Sequence, residues 1–199
     1  MIWSFFHVSL PKEGEKLCGD TVVVRVEAGV TLLAVVDALG HGHPAAVVAD
    51  RGREFLTSAP LDGDVRALTD GLHDALRGTR GVAAMCCLVR GDHIEGCGVG
   101  NVELRSARSR VPVVLTPGVL GVQMMRARVF QATLSPGARL VLFSDGISPR
   151  IDLEKVERMP AEPACKALLE RYRRSHDDAT LLVADLEPTA RVDFPARQR

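Results

Sequence analysis

The sequence predicts an α+β fold, a four-layer αββα sandwich in which two antiparallel β-sheets pack face to face and helices cover both outer faces. Its predicted elements follow the order strands, two helices, many strands, one helix and one strand. That order is not the regular strand-helix alternation of a parallel doubly wound sheet. The steps between the strands are rich in Gly, Asp and Asn, which favour tight antiparallel hairpins.

The first elements are a predicted hairpin and two helices. Residues 22–26 and 31–36 are β-branched runs separated by Ala28-Gly29, a pattern typical of a hairpin. A helix is predicted from Pro44 to Leu56, because apolar residues recur there at helical spacing and proline suits a first turn. A second helix is predicted from Asp62, a good N-cap, to about Arg77.

Short strands with turn residues between them dominate the second half of the chain. They are predicted at residues 82–89, 94–99, 102–107, 111–115, 127–134, 139–143 and 179–186. A helix over residues 163–173 precedes the last of them. We find no internal repeat or linker and therefore predict a single domain over residues 1–186. Residues 187–199 are polar with two prolines and no periodicity, which predicts a surface tail.

The length and net charge of the chain limit the classes of protein to which it can belong. A chain of 199 residues fits one domain with a full core. Lysine plus arginine equals aspartate plus glutamate at 25 each, so the formal net charge of zero argues against nucleic acid or an anionic membrane as partner. The chain begins without a basic leader or cleavage site, and no apolar run reaches about 18 residues. We therefore expect a cytoplasmic protein.

The cysteines do not indicate a disulfide framework. Their number is odd, and no two of them form a CxxC pair. They are Cys18, Cys86, Cys87, Cys97 and Cys165. We expect buried free thiols in a reducing compartment.

Four acidic sites at strand ends or tight turns are candidates for a functional site. They are Asp20, Asp37, Asp145 and the pair Asp177-Asp178. Asp37 directly follows an apolar run, where a buried carboxylate is costly unless it is hydrogen-bonded or bound to a cation. Any one of these residues alone is more commonly a turn-former or helix cap. Four on one small chain favour a site for Mg²⁺ or Mn²⁺, which prefer oxygen ligands.

The motifs around these residues resemble a known family. The run from Val35 to Gly42 resembles the D-G-x-G-H-G signature of bacterial metal-dependent protein phosphatases of the protein phosphatase 2C type, in the sporulation stage II branch. Ser144-Asp145-Gly146 resembles the S-D-G turn of that branch, and residues 177–180 resemble its D-D-x-T turn. The order and spacing of the motifs also fit, from Gly19 to about residue 186.

The resemblance implies two divalent ions, Mn²⁺ or Mg²⁺, and a role for each carboxylate. Asp37 would bridge both ions, and the carbonyl of Ala38 would bind one of them. Asp145 and Asp177 would hold the other ion. Asp20 would act directly or through a metal-bound water. Asp37, Asp145 and Asp177 are accordingly the expected catalytic residues.

The implied activity is hydrolysis of phosphoserine or phosphothreonine by a metal-activated water, without a phosphoenzyme. Short members of the branch act on the stressosome, which implies phosphorylated STAS-domain proteins as substrates. A monomer is expected. Two alternatives stay open: a catalytically weak phosphatase-like binding module in a signalling complex, and a metal-dependent hydrolase of small phosphorylated molecules. No cysteine sits in a phosphate-cradling loop with a following arginine, which argues against a cysteine-dependent phosphatase.

The chain departs from the family pattern at several positions. Ala38 stands where the family has glycine, and Leu39 stands where eukaryotic members place a general-acid histidine. No counterpart of the eukaryotic phosphate-binding arginine is evident. His41 and His43 could together bind a transition metal. We expect instead that His41 packs or hydrogen-bonds in the glycine loop and that His43 caps the following helix.

The chain has a cluster of basic residues at the end of its last predicted helix, at Arg171, Arg173 and Arg174. Such a cluster is typical of a solvated helix end. A role in docking an acidic partner is the less favoured interpretation.

Overall fold

The computed structural model of the protein describes residues 3–187, and the predicted tail beyond Glu187 lies outside the described residues. The strands are β1 (Trp3–Leu10), β2 (Asp20–Glu27), β3 (Val30–Ala38), β4 (Val82–Arg90), β5 (His93–Val99), β6 (Glu103–Ala107), β7 (Leu115–Thr116), β8 (Gly118–Val119), β9 (Gln123–Met124), β10 (Val129–Thr133), β11 (Arg139–Phe143) and β12 (Ala179–Leu186). The helices are α1 (His43–Ser58), α2 (Val65–Ala75), α3 (Ala161–Tyr172) and a single 3-10 turn (Glu154–Val156).

Two sheets form the centre of the molecule. The smaller sheet has the strand order β1-β12-β11-β6, and the larger has the order β10-β5-β4-β3-β2 with β7 added in parallel beside β5. All the other pairings in both sheets are antiparallel. Helices α1 and α2 contact the larger sheet, and α3 contacts the smaller sheet. The predicted αββα sandwich is confirmed.

Strand β3 shows why the two sheets share a core. Successive side chains of a strand point to opposite faces. Leu33 and Val35 belong to the apolar layer between the sheets, whereas Leu32, Ala34 and Val36 pack in the layer beneath the helices. Both faces of the strand are therefore buried, which explains its unbroken apolar run and carries Asp37 to the edge of the core.

The helix starts differ from the predicted ones. Asp64, not Asp62, caps α2, and its Oδ1 accepts a hydrogen bond of 2.7 Å from the backbone N–H of Ala67. Gly42 occupies the N-cap position of α1 with φ of 69°, and no side chain caps that helix. His43 is the first helical residue, so its prediction as a cap is wrong.

Replacing Asp64 by Ala is expected to lower the free energy of unfolding by about 1 kcal/mol, because a first-turn N–H loses its acceptor. For a domain of this size, the melting temperature should fall by about 2–4 °C. Asp62→Ala is the matched control and should melt like the native protein in a thermal scan. An equal or larger loss in the control would contradict the assignment of the cap.

Strands β1, β8 and β9 were not predicted, and one predicted strand is much shorter in the structure. The sequence analysis did not predict β1, which pairs along its whole length with β12, from Trp3 opposite Leu186 to Leu10 opposite Ala179. The strand predicted at residues 111–115 reduces to β7. Pro112 lies inside that predicted strand and has no N–H to donate to a ladder.

The thiols agree with the prediction of unpaired, largely buried cysteines. All five are free, and each except the half-buried Cys18 is buried. None of the helices within residues 3–187 is long and apolar enough to cross a membrane.

Candidate metal centre

The four predicted acidic sites lie at one edge of the sandwich. Asp20 begins β2 and stands opposite Asp37, near the end of β3, in the pairing of the two strands. Asp145 follows β11 and Asp177 precedes β12. Because β11 and β12 are antiparallel neighbours, the end of one and the start of the other meet at the same edge.

Ser144 joins the two sheets at this edge. Its hydroxyl donates a hydrogen bond of 2.6 Å to Oδ2 of Asp20, which belongs to the other sheet. The hydroxyl oxygen of Ser144 in turn accepts a hydrogen bond of 2.9 Å from the backbone N–H of Thr180. Ser144 and Thr180 are both fully buried. The serine of the S-D-G turn and the threonine of the D-D-x-T turn are therefore structural partners that orient Asp20.

The backbones of these two turns touch at Gly146. A Cβ atom on Gly146 would lie 1.9 Å from the carbonyl oxygen of Asp178, a distance that no side chain tolerates. Only glycine allows this approach. The contact holds Asp145 and Asp177 on neighbouring turns.

Asp178 has a structural role. Its Oδ1 accepts a hydrogen bond of 2.7 Å from the backbone N–H of Lys12, and its Oδ2 accepts one of 2.8 Å from Gly19. The residue is 3% exposed, and these bonds satisfy the buried carboxylate. Asp178 thereby fixes the segment that leads into Asp20.

Burial and mutual repulsion raise the pKa values of Asp37, Asp20 and Asp145. Burial, followed by the charges of Asp20, Asp145 and Asp177, raises the pKa of Asp37 to about 9. Burial also raises the pKa of Asp20 to about 7, with Asp178 adding to the effect and the Ser144 hydrogen bond opposing it. The pKa of Asp145 is raised by burial and then by Asp177. Four carboxyl groups from separate segments therefore lie within electrostatic reach of one another.

Asp20 and Asp37 lie opposite each other in the pairing of β2 with β3, and the raised pKa of Asp37 lets its carboxyl group keep a proton near neutral pH. In the metal-free protein, this proton offsets the repulsion between the two groups. A divalent cation would do the same more strongly and leave both carboxylates ionised.

The donor set suits Mg²⁺ or Mn²⁺. Within residues 3–187, no three His, Cys, Asp or Glu side chains form a closed ligand group for a metal ion. Mg²⁺ does not need such a group, because it keeps several waters and binds through one or two carboxylates. The carboxylates and carbonyls at this edge are the oxygen donors that hard cations prefer over soft ones.

Ala38 fits where the family has glycine. It lies in β3, and its side chain is 1% exposed in the apolar layer beneath the helices. Its N–H donates a hydrogen bond of 3.0 Å to the carbonyl oxygen of Gly19. Ala38 is not among the residues with positive φ, so alanine is accommodated here without backbone strain.

His41 is hydrogen-bonded, as expected, but to residues outside the glycine loop. Its Nδ1 lies 2.7 Å from Oε1 of Glu15, and its Nε2 lies 3.0 Å from Nζ of Lys12. Both ring nitrogens therefore have protein partners. The arrangement argues against a transition-metal site formed with His43.

Asn101 is a site residue that the sequence analysis missed. It lies in the loop after β5, and its Nδ2 donates a hydrogen bond of 2.6 Å to Oδ2 of Asp145. Asn101 is an amide and not a carboxylate, and the pair Gly100-Asn101 by itself predicts only a turn. Its position directly after an apolar strand, as for Asp37, was the pattern that could have identified it.

Replacing Asn101 by Ala is expected to weaken Mn²⁺ binding about 10–100-fold, because Asp145 loses the partner that orients it. Isothermal titration calorimetry on the full chain measures this affinity. Gln131→Ala is the matched control, since Gln131 donates a similar amide hydrogen bond to the surface carboxylate of Glu95. Unchanged Mn²⁺ affinity in the Asn101 variant would contradict the role of Asn101.

The chain matches a known family over most of its length. The family described as Stage II sporulation protein E (SpoIIE) matches residues 27–187. The chain belongs to the SpoIIE family. One SpoIIE relative is the phosphoserine phosphatase RsbX of Bacillus subtilis (strain 168), which is 24% identical over 184 residues that span 89% of this chain and 92% of RsbX.

Solved structures agree with the SpoIIE assignment. A chain from work on the bacterial stressosome, described as a modular system adapted to control secondary messenger signaling, is 28% identical with a TM-score of 0.86. The match covers 92% of this chain and all of that one. The crystal structure of RsbX in complex with magnesium is 22% identical with a TM-score of 0.81, and the match covers 93% of this chain and 96% of RsbX. The predicted fold and SpoIIE-type protein phosphatase family are confirmed.

Proposed function

We propose that this SpoIIE-family protein is a metal-dependent serine/threonine protein phosphatase that acts on bacterial signalling proteins. Its substrates are phosphoserine or phosphothreonine on STAS-domain proteins of the stressosome. It works as a monomeric cytoplasmic enzyme whose single catalytic domain spans residues 1–186. One observation carries the proposal: strand pairing and the Ser144–Asp20 hydrogen bond bring acidic residues from separate parts of the chain to one edge of the two sheets. The relative RsbX, a phosphoserine phosphatase, supports the choice of substrate.

Oxygen donors at this edge would hold two Mn²⁺ or Mg²⁺ ions. Asp37 would contribute to both ions, and the carbonyl of Ala38 would contribute to one. Asp145 and Asp177 would hold the other, and Asp20 would support the site from beside Asp37. When bound, such ions supply an activated water and neutralise charge on the phosphoryl oxygens.

Neighbouring residues of the chain hold these carboxylates in place. Ser144 orients Asp20 and Asn101 orients Asp145 through the hydrogen bonds described above. Both bonds leave the two carboxylates preorganised, which lowers the reorganisation needed when the substrate arrives.

Cys18 is unsuited to act as a nucleophile. It is the one half-buried thiol, and it lies close enough to Asp20 to feel its charge. Burial, followed by the charge of Asp20, raises the pKa of this thiol to about 12. Because the thiolate is the reactive form, the thiol stays inert near neutral pH. A water nucleophile is therefore favoured over a phosphocysteine intermediate.

The test is release of inorganic phosphate from a phosphorylated STAS-domain protein with Mn²⁺ or Mg²⁺, repeated after adding chelator. We expect metal-dependent release that disappears in Asp37→Ala. Small phosphorylated metabolites serve as comparison substrates and should be hydrolysed far more slowly. Tight binding of the phosphoprotein without release under any metal would favour the alternative, a phosphatase-like binding module.

A further inference from the structure

The substrate phosphoryl group must be oriented at an edge that holds four aspartates. A phosphorylated serine carries a charge of about −1.5 to −2 near neutral pH. Two bound divalent ions would offset the charge of the carboxylates, and a positive side chain fixed beside the cluster would orient the phosphoryl group.

Arg174 is fixed on the turn that carries Asp145. Its backbone N–H donates a hydrogen bond of 2.7 Å to the carbonyl oxygen of Gly146. Its side-chain Nη1 donates one of 3.0 Å to the carbonyl oxygen of Asp145. Main chain and guanidinium are thus both attached to the same S-D-G turn, and Arg174 is not simply part of a solvated helix end.

The charge of Arg174 lies beside the cluster, because its Nη1 is hydrogen-bonded to the main-chain carbonyl oxygen of Asp145 itself. The half-buried position of Arg174 keeps its charge less screened than that of an exposed arginine.

The guanidinium keeps donors for a ligand. It has five N–H groups in a planar fork that matches phosphate oxygens. Within residues 3–187, the one hydrogen bond that the guanidinium donates runs from Nη1 to the main-chain carbonyl oxygen of Asp145. Arg139 shows the contrast of a saturated guanidinium, because it bonds Asp185 and the carbonyl oxygens of Val156 and Met159.

The neighbouring arginines are directed elsewhere. Nη2 of Arg173 donates to the carbonyl oxygen of Pro11, and Arg171 lies over the ring of Tyr172 at 5.8 Å from its centroid. Both are exposed. Among Arg171, Arg173 and Arg174, only Arg174 is hydrogen-bonded to the S-D-G turn that carries Asp145.

We propose that Arg174 binds the phosphoryl group of the substrate beside the carboxylate cluster, an inference that rests on the proposed phosphatase function. The remaining N–H donors of the guanidinium bind two phosphoryl oxygens, while Nη1 keeps its hydrogen bond to the carbonyl oxygen of Asp145. In this role Arg174 is a substrate-binding residue, and it sets the orientation of the phosphate relative to Asp145.

The test uses inorganic phosphate, the reaction product, as the probe. It is titrated calorimetrically into the full chain loaded with Mn²⁺, for the native protein and for Arg174→Gln, Arg174→Lys and the control Arg171→Gln. We expect phosphate affinity to fall about 10–100-fold in Arg174→Gln, since a charge-assisted hydrogen-bonded contact is lost. Arg174→Lys should recover part of the affinity, because it restores the charge without the fork. Arg171→Gln should bind phosphate as the native protein does.

Mn²⁺ affinity and melting temperature separate substrate binding from a structural role. Both should stay unchanged in Arg174→Gln, while KM for the phosphoprotein rises more than kcat falls. The inference is overturned if native protein does not bind phosphate, if Arg174→Gln keeps native phosphate affinity, or if its Mn²⁺ affinity falls equally. Loss of phosphate affinity in Arg174→Gln, together with no phosphoprotein turnover by the native protein, would support the phosphate site and reject the proposed function.

Discussion

Replacement of Asp37 by Asn is expected to lower phosphatase turnover about a thousand-fold or more while the fold persists. Asn keeps the size of Asp and can hydrogen-bond to Asp20, but it removes the charge that would bridge two ions. Losing the stabilisation that a metal ion gives to transition-state charge costs several kcal/mol, and about 4 kcal/mol corresponds to a thousand-fold in rate. The measurement is the rate of phosphate release from the phosphoprotein at saturating Mn²⁺.

The matched control is Asp62→Asn, which neutralises an exposed carboxylate in the loop before α2. It should retain native turnover, because Asp62 is not one of the groups whose charge acts on Asp37. Calorimetry should also show that Asp37→Asn binds fewer Mn²⁺ ions, or binds them far more weakly. Native turnover in Asp37→Asn would remove the basis of the site assignment.

The metal-free protein is expected to lose stability as the pH rises from about 4 to about 9. The folded pKa values of Asp20 and Asp37 are raised to about 7 and about 9, above the ordinary value of 3.8. Between those limits the folded state holds more protons than the unfolded state, so stability is greatest at low pH and falls as pH rises. One retained proton corresponds to about 1.4 kcal/mol per pH unit. Denaturant unfolding of chelator-treated protein measures the slope.

Neutralising one of the two carboxyl groups should reduce this slope. Asp37→Asn removes one titrating group and relieves the repulsion on Asp20, so the metal-free variant should be more stable than native protein near pH 8. Adding Mn²⁺ should stabilise native protein far more than the variant, by mass action on the folded state. A native slope that is flat, or stability that rises with pH, would contradict the shifted pKa values.

The fold was predictable wherever the spacing of apolar residues and the residue types in the adjoining turns indicate the same element. The hairpin of β2 and β3, the helices and the last strand show both, and all were predicted. β1 was missed because it is an edge strand whose side chains are mostly half-buried, without a clear alternation. Its conformation depends on pairing with β12, a contact between the two ends of the described chain. No local pattern encodes such a contact.

The carboxylates of the site were predictable, and the polar residues that contact them were not. Each aspartate is recognisable beside an apolar strand or in a turn motif. Asn101 and Arg174 are each hydrogen-bonded to Asp145 from distant segments of the chain. Their sequence surroundings match those of an ordinary turn and an ordinary helix end. The tertiary structure brings them to Asp145, Arg174 from the segment before β12 and Asn101 from the loop after β5.

The long-range bonds at the edge also set an order of events during synthesis. Ser144 and Asp20 are 124 residues apart, and Asp178 and Lys12 are 166 apart. A nascent chain therefore carries Asp20 and Asp37 on a finished hairpin long before their partners have been translated. Contacts so distant form late, because loop closure costs entropy before it yields contact energy. We therefore expect affinity for metal to be acquired at the final step, when β12 takes its place between β1 and β11, and to be absent from a chain that lacks β12.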